Sequence, residues 1–111
     1  MEITELDEHE QFALLGLVRL LIKADAVLSE EENAHIVGIR DAMGNTRFQA
    51  LATRCRREVR SRSELLGPMA AVERQAARKR IYDEVAALGA VDGLADSERD
   101  LLGWIKETWS L

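Results

Sequence analysis

Eleven consecutive positions, Phe12 to Ile22, hold only apolar residues, one glycine and a single charge, Arg19. A helix with one apolar stripe can lie on a surface, but a helix apolar nearly all round must be covered on several sides. The run is far shorter than the ~20 residues a membrane span needs, so the cover has to come from the rest of the chain. This predicts a central helix from about Asp7 to Asp25. Gly16 in its middle costs ~1 kcal/mol against alanine in a helix interior, so a second helix is expected to cross closely there.

The remaining sequence reads as helices that wrap this one. One proline and seven glycines leave little for β-turns, and no window alternates like a strand. Ser29 with Glu32 forms a Ser-x-x-Glu capping box that opens a second helix, with Leu28 before the cap able to staple onto it. Ile36, Ile39 and Met43 give its inward face and Gly44 its stop. Asn45 or Thr46 can cap a third helix, whose apolar positions are Phe48, Leu51, Ala52, Cys55 and Val59. Ser61 to Pro68 reads as a connection punctuated by Gly67-Pro68. A fourth helix is predicted over 69–88, with the stripe Ala70, Ala77, Ile81, Val85 and Leu88. Asp96 is expected to cap the last helix, which carries Leu101, Leu102, Trp104, Ile105 and Trp109. The expectation is an all-α, compact bundle of about five or more helices, folded as a single domain over 1–111.

Two helix junctions look alike. Lys23-Ala24-Asp25-Ala26-Val27-Leu28-Ser29-Glu30-Glu31-Glu32 closes one apolar run and opens the next helix, and Ala90-Val91-Asp92-Gly93-Leu94-Ala95-Asp96-Ser97-Glu98-Arg99 does the same later. In this register Asp25 matches Asp92, Ser29 matches Asp96 and Glu31 matches Glu98, which suggests two pseudo-repeated helix–loop–helix units. A local reading accounts for all of these acids. Ser29 and Asp96 cap helices, Glu30, Glu31 and Glu98 favour the positive end of the dipole, and Asp25 and Asp92 form Asx turns. A sharper reading packs the two units together, so that Asp25, Glu31, Asp92 and Glu98 form a metal site. Clustered carboxylates repel one another and would take a hard divalent cation, Ca²⁺ or Mg²⁺.

A long apolar helix ending in Ala-Asp-Gly, a short loop, a Ser or Asp cap and then Glu resembles the tellurite-resistance TerB-like family. Val91-Asp92-Gly93-Leu94-Ala95-Asp96-Ser97-Glu98 is similar throughout, whereas the first copy has Ala26 where glycine is usual. The resemblance implies an all-helical, pseudo-repeated TerB-like domain linked to bacterial tellurite or general stress resistance. It implies an interaction or sensing module rather than an enzyme, with acidic loops suspected of binding metal. Other metal patterns fit less well. An EF-hand needs oxygen ligands where Val27 and Leu94 stand. A di-iron site needs two Glu-x-x-His pairs, and only Glu32 with His35 supplies one, leaving His35 as a surface residue.

A net charge of −5 conceals a basic middle between acidic ends: residues 1–32 sum to −7, 47–80 to +7 and 81–111 to −5. Arg54, Arg56, Arg57, Arg60 and Arg62 are the densest part of that middle and are candidate anion- or partner-binding residues. No aromatic residues interleave with them and no glycine-rich phosphate loop accompanies them, which argues against nucleic acid. Pairing with acidic surfaces, within the fold or on a protein partner or second copy, suits them better. Of the tryptophans, one is expected in the core, and Trp109, near the C-terminus, at an edge or contact.

No Gly-x-Ser-x-Gly, His-Glu-x-x-His or Cys-x-x-Cys is present, and nothing in the spacing links Cys55 to a histidine. Cys55, flanked by Arg54 and Arg56, shares an apolar helix face with Leu51 and Val59, which favours a small core hydrophobe over a reactive thiol. The sequence therefore predicts no enzyme, no certain cofactor, no membrane span and no signal peptide, and a cytoplasmic location. The alternatives are a small metal-dependent enzyme using the same carboxylates, or an anion or nucleic-acid binder using the Arg54–Arg62 cluster.

Overall fold

A computed structural model describes residues 1–24, 28–91 and 93–111. Among them a short 3₁₀ turn (Ile3–Glu5) precedes six α-helices: α1 (Glu8–Ala24), α2 (Glu30–Met43), α3 (Asn45–Glu58), α4 (Arg62–Ala71), α5 (Gln75–Ala90) and α6 (Asp96–Trp109). There are no strands among the described residues, and the extents of 30 × 29 × 28 Å are nearly isotropic. The all-α bundle read from the sequence is what the chain forms.

Helix α1 is the axis. It packs against α3, α4, α5 and α6, and Leu14, Leu17 and Leu21 have no exposed surface. Within its apolar run only Arg19 is charged. Gln11 is buried too, and its amide donates to the Ile3 carbonyl at 3.1 Å, tying the first turn of the chain onto the core. At mid-helix the expected close crossing is present. A Cβ placed on Gly16 would stand 2.7 Å from Cδ2 of Leu65, a fully buried side chain of α4.

The structure departs from the sequence reading at Gly67-Pro68. These residues lie inside α4 rather than in a connection, and the chain breaks instead at Val72, Glu73 and Arg74. Proline removes one intrahelical bond and strains the turn before it, but tertiary packing outweighs that cost here. Leu65 and Met69 are fully buried on either side of it. The Trp109 indole N–H donates at 2.9 Å to the Met69 carbonyl in the last turn of α4. That bond also corrects the reading of the tryptophans: Trp109 is core, and Trp104 is the half-buried one.

Smaller corrections follow from the helix ends. Gly44 is both the stop of α2 and the cap of α3, so neither Asn45 nor Thr46 caps it. Ala70 is exposed, while Ala77, Ile81, Val85 and Leu88 form the inward stripe of α5. Leu28 is 45% exposed, so it contributes little as a staple.

The Gly16–Leu65 crossing gives a coupled prediction. Gly16→Ala should gain up to about 1 kcal/mol of helix propensity but lose about 1–3 kcal/mol to overpacking, for a net loss in the wild-type background. In a Leu65→Ala background the clash is gone and the same substitution should stabilise. Urea unfolding of the four proteins of this cycle should give a coupling of about 1–3 kcal/mol, and additive effects would refute the crossing.

Candidate functional site

A single local device recurs at the helix starts. At the 3₁₀ turn, α1, α2 and α6, a glutamate three residues after the cap reaches back to the cap's own N–H, the second half of a capping box. Glu5 accepts from Glu2 at 3.0 Å, Glu10 from Asp7 at 2.7 Å, Glu32 from Ser29 at 3.0 Å and Glu98 from Ala95 at 2.9 Å. At α2 the box is complete, since Ser29 Oγ also accepts from the Glu32 N–H at 3.0 Å. At α6 the cap residue is Ala95, which has no side-chain acceptor, and Asp96 is the first helical residue rather than the cap.

This shifts the register of the pseudo-repeat by one. Structurally Ser29 corresponds to Ala95 and Glu32 to Glu98, and both of these glutamates are 1% exposed. Glu31, paired with Glu98 in the sequence reading, is exposed on the first turn of α2. Asp25 and Asp92 lie outside the described residues. Of the four candidate metal ligands, then, the described ones are Glu31 in solvent and Glu98 in the interior.

Glu98 is the unusual member. One carboxylate oxygen takes the Ala95 N–H, and the other, Oε2, is buried with no hydrogen-bond partner among the described residues. An oxygen in this position normally has a partner, because leaving a charged acceptor unpaired in the interior is costly. It faces α5: a Cβ on Gly89 would stand 3.7 Å from it, 3.0 Å from Leu94 Cδ2 and 3.6 Å from Leu21 Cδ2. The adjacent Ser97 hydroxyl donates at 3.0 Å to the carbonyl of Ala24, the last residue of α1. The start of α6 is thus bonded to the residue immediately before Asp25. Gly93, immediately after Asp92, has a φ of +93°, a conformation that alanine resists.

The other acids and bases are mostly satisfied within the fold. Glu10, also 1% exposed, is gripped by both ends of the Arg74 guanidinium: Nε donates to Oε2 at 3.0 Å and Nη2 to Oε1, and Nη2 also donates to the Glu5 carbonyl at 3.0 Å. The Arg74 hydrogen bonds hold the Glu10 carboxyl below its ordinary value, against the opposing effect of burial. Asp7, His9 and Glu10 place one ligand atom each within 4.8 Å of one another, but the Arg74 guanidinium already fills the position of a cation there. His35 is half-buried at the surface, and its ring pairs with Glu84, which also accepts from Arg80 at 2.8 Å.

Four members of the arginine cluster are matched by acids. Arg54 and Arg57 reach Glu58 at 3.3 and 4.0 Å, Arg60 reaches Glu64 at 3.6 Å and Arg62 reaches Asp100 at 2.7 Å. Arg54 also lies over the Phe12 ring and Arg62 over Trp104. Among the described residues Arg56 donates only to the Thr53 hydroxyl. Cys55 is 2% exposed, and burial pushes its thiol up to about 11, so it is protonated and inert at neutral pH.

No family model, curated protein or solved structure matches this chain. No described helix is long and apolar enough to cross a membrane.

Sequence reasoning missed the Glu10–Arg74 and His35–Glu84 pairs, because each joins helices distant in the chain. Only Glu10 carried a signal, standing three residues after Asp7 at a helix start. Two outcomes are expected from this geometry. The Glu10 pair stabilises the fold above the pH, near 4.5, where an unfolded glutamate titrates, and that contribution is lost as pH falls through the lower folded value. Arg74→Met should therefore lower the urea midpoint at neutral pH, with the gap to wild type closing in acid. Cys55 should not react with a disulfide reagent at pH 7 until the protein is unfolded, and rapid labelling of the native protein would contradict its placement.

Proposed function

We propose that this chain is a non-enzymatic, TerB-like helical interaction and sensing module of bacterial stress resistance of the tellurite type. Its paired acidic junctions take up a divalent cation, Ca²⁺ or Mg²⁺. The observation that carries this reading is the buried Glu98 oxygen with no partner among the described residues, at the junction where the acidic pattern recurs. A hard cation with oxygen ligands would complete that carboxylate. The bond from Ser97 to Ala24 supports the pairing of the two junctions, because it fixes one beside the residue that precedes Asp25.

The candidate ligands are Asp25, Asp92 and Glu98, with Glu31 at the exposed edge. In this reading the cation supplies charge that the buried carboxylate lacks, while Glu98 keeps its cap bond through the other oxygen. The protein's output is a surface whose ordering depends on the ion. A partner protein reads it.

Calorimetric titration with Ca²⁺, Mg²⁺, Mn²⁺ and Zn²⁺ tests the cation step. Uptake of one ion is expected, with a melting temperature that rises with its concentration; saturation to a hundred times Kd adds about 2.7 kcal/mol. Glu98→Gln should abolish uptake while leaving the fold intact, because glutamine also serves at this capping position. No uptake of any of the four ions would sink the cation step. In the native host, loss of the chain should raise sensitivity to tellurite, and the wild-type chain should restore growth where the Glu98→Gln variant does not.

A further inference from the structure

A groove of about 180 Å³ opens between α1, α2 and α3. Its apolar lining includes Ile22, Ile36, Phe48 and Ala52, all half-buried, so three helices leave apolar surface incompletely covered at one place. Its polar lining is Arg19, Lys23 and Arg56, and no carboxylate among the described residues lines it. These cations, two from α1 and one from the basic middle, differ in their partners from most of that middle. Arg19 donates to the Val59 carbonyl at 3.2 Å, Lys23 to the Arg60 carbonyl at 3.4 Å and Arg56 to the Thr53 hydroxyl at 3.0 Å. None of the three has an acid within ion-pair distance among the described residues, whereas Arg54, Arg57, Arg60, Arg62, Arg74 and Arg80 all do.

We propose that this groove is the docking site for an acidic amphipathic helix of a partner protein, which inserts one or two large apolar side chains between α1, α2 and α3 and sets carboxylates against Arg19, Lys23 and Arg56. An apolar floor inside a ring of unmatched positive charge is complementary to a helix with apolar anchors at i, i+3 or i+4 and acids beside them. The volume favours this occupant over an enclosed small molecule. Pockets that swallow a drug-sized ligand run to about 300–1,000 Å³, and this one has room for side chains rather than a whole ligand. The chain's own acidic start is poorly suited to fill the groove of a second copy, because its apolar residues Ile3 and Leu6 are already buried in its own core. The inference rests on the reading of the chain as an interaction module and names the chemistry of the partner.

The test is selection of helical peptides from a displayed random library against the full chain, followed by fluorescence anisotropy with the selected peptides. Binders should be enriched in Asp and Glu beside Leu, Phe or Trp at helical spacing, and should weaken as salt is raised. Arg56→Glu and Lys23→Glu replace exposed residues, so circular dichroism should show both folded, and each should weaken binding about tenfold. Ala52→Arg, which fills the groove, should abolish it. Absence of binders, binders without acidic enrichment, or binding insensitive to these substitutions would overturn the proposal. So would binding to vesicles of anionic lipid, in place of peptides, that the same substitutions remove, since that would make the groove a membrane contact. Concentration-dependent dimerisation abolished by Arg56→Glu would overturn it in favour of a second copy. Because peptide binding is read at the groove and cation uptake at the junctions, failure of one assay leaves the other result standing.

Discussion

From Glu10 to Val18 helix α1 exposes almost no surface to water, and the positions of α3, α4, α5 and α6 follow from what each must cover on it. Burying a large apolar side chain is worth about 1.5–3 kcal/mol, and α1 carries eight buried apolar residues between Phe12 and Leu21. That concentration explains why a proline can stand inside α4. The turn it weakens is held against α1 by Leu65 and Met69, and released from the helix pattern only after Ala71. It also explains Gly16, where α4 comes closer than any side chain would allow.

A central helix covered on most sides brings the ends of its neighbours into the interior as well, where unsatisfied N–H groups are costly. Glutamates at the third helical position answer this at α1, α2 and α6, and in each case the glutamate itself is buried. The three carboxylates then meet different fates. Glu10 has a guanidinium on it, Glu32 closes a reciprocal box with Ser29, and Glu98 keeps an oxygen in reserve. The same capping chemistry therefore gives structural ends at two helices and a candidate ligand at the third.

The charge asymmetry of the sequence resolves in a similar way. The basic middle is drawn onto acids supplied by its own helices and by α1 and α6, as in Arg74 on Glu10 and Arg62 on Asp100. Among the described residues without an acid partner, Arg19, Lys23 and Arg56 meet around the groove between α1, α2 and α3, whereas Arg47, Arg78, Arg99 and Lys106 do not line it. The dense arginine run is thus less informative than its three quieter relatives, Arg19, Lys23 and Arg56, whose neighbours are carbonyls, a hydroxyl and apolar side chains.

The central helix was legible because all-round apolarity over Phe12 to Ile22 has only one solution in water, and the Ser29–Glu32 box because its bonds span three residues. Those features depend on nearest neighbours along the chain, so the sequence by itself determined them, along with the all-helical class. The continuation of α4 through Pro68, the choice of Ala95 over Asp96 as a cap, and the burial of Trp109 were decided only in three dimensions. In each, a local preference worth at most a few kcal/mol yields to side chains packed against a helix far away in sequence. The same holds for the candidate sites. The recurrence of acids at two junctions is visible in the chain, but which oxygen is buried without a partner, and which cations lack an acid, follow from how the helices are packed.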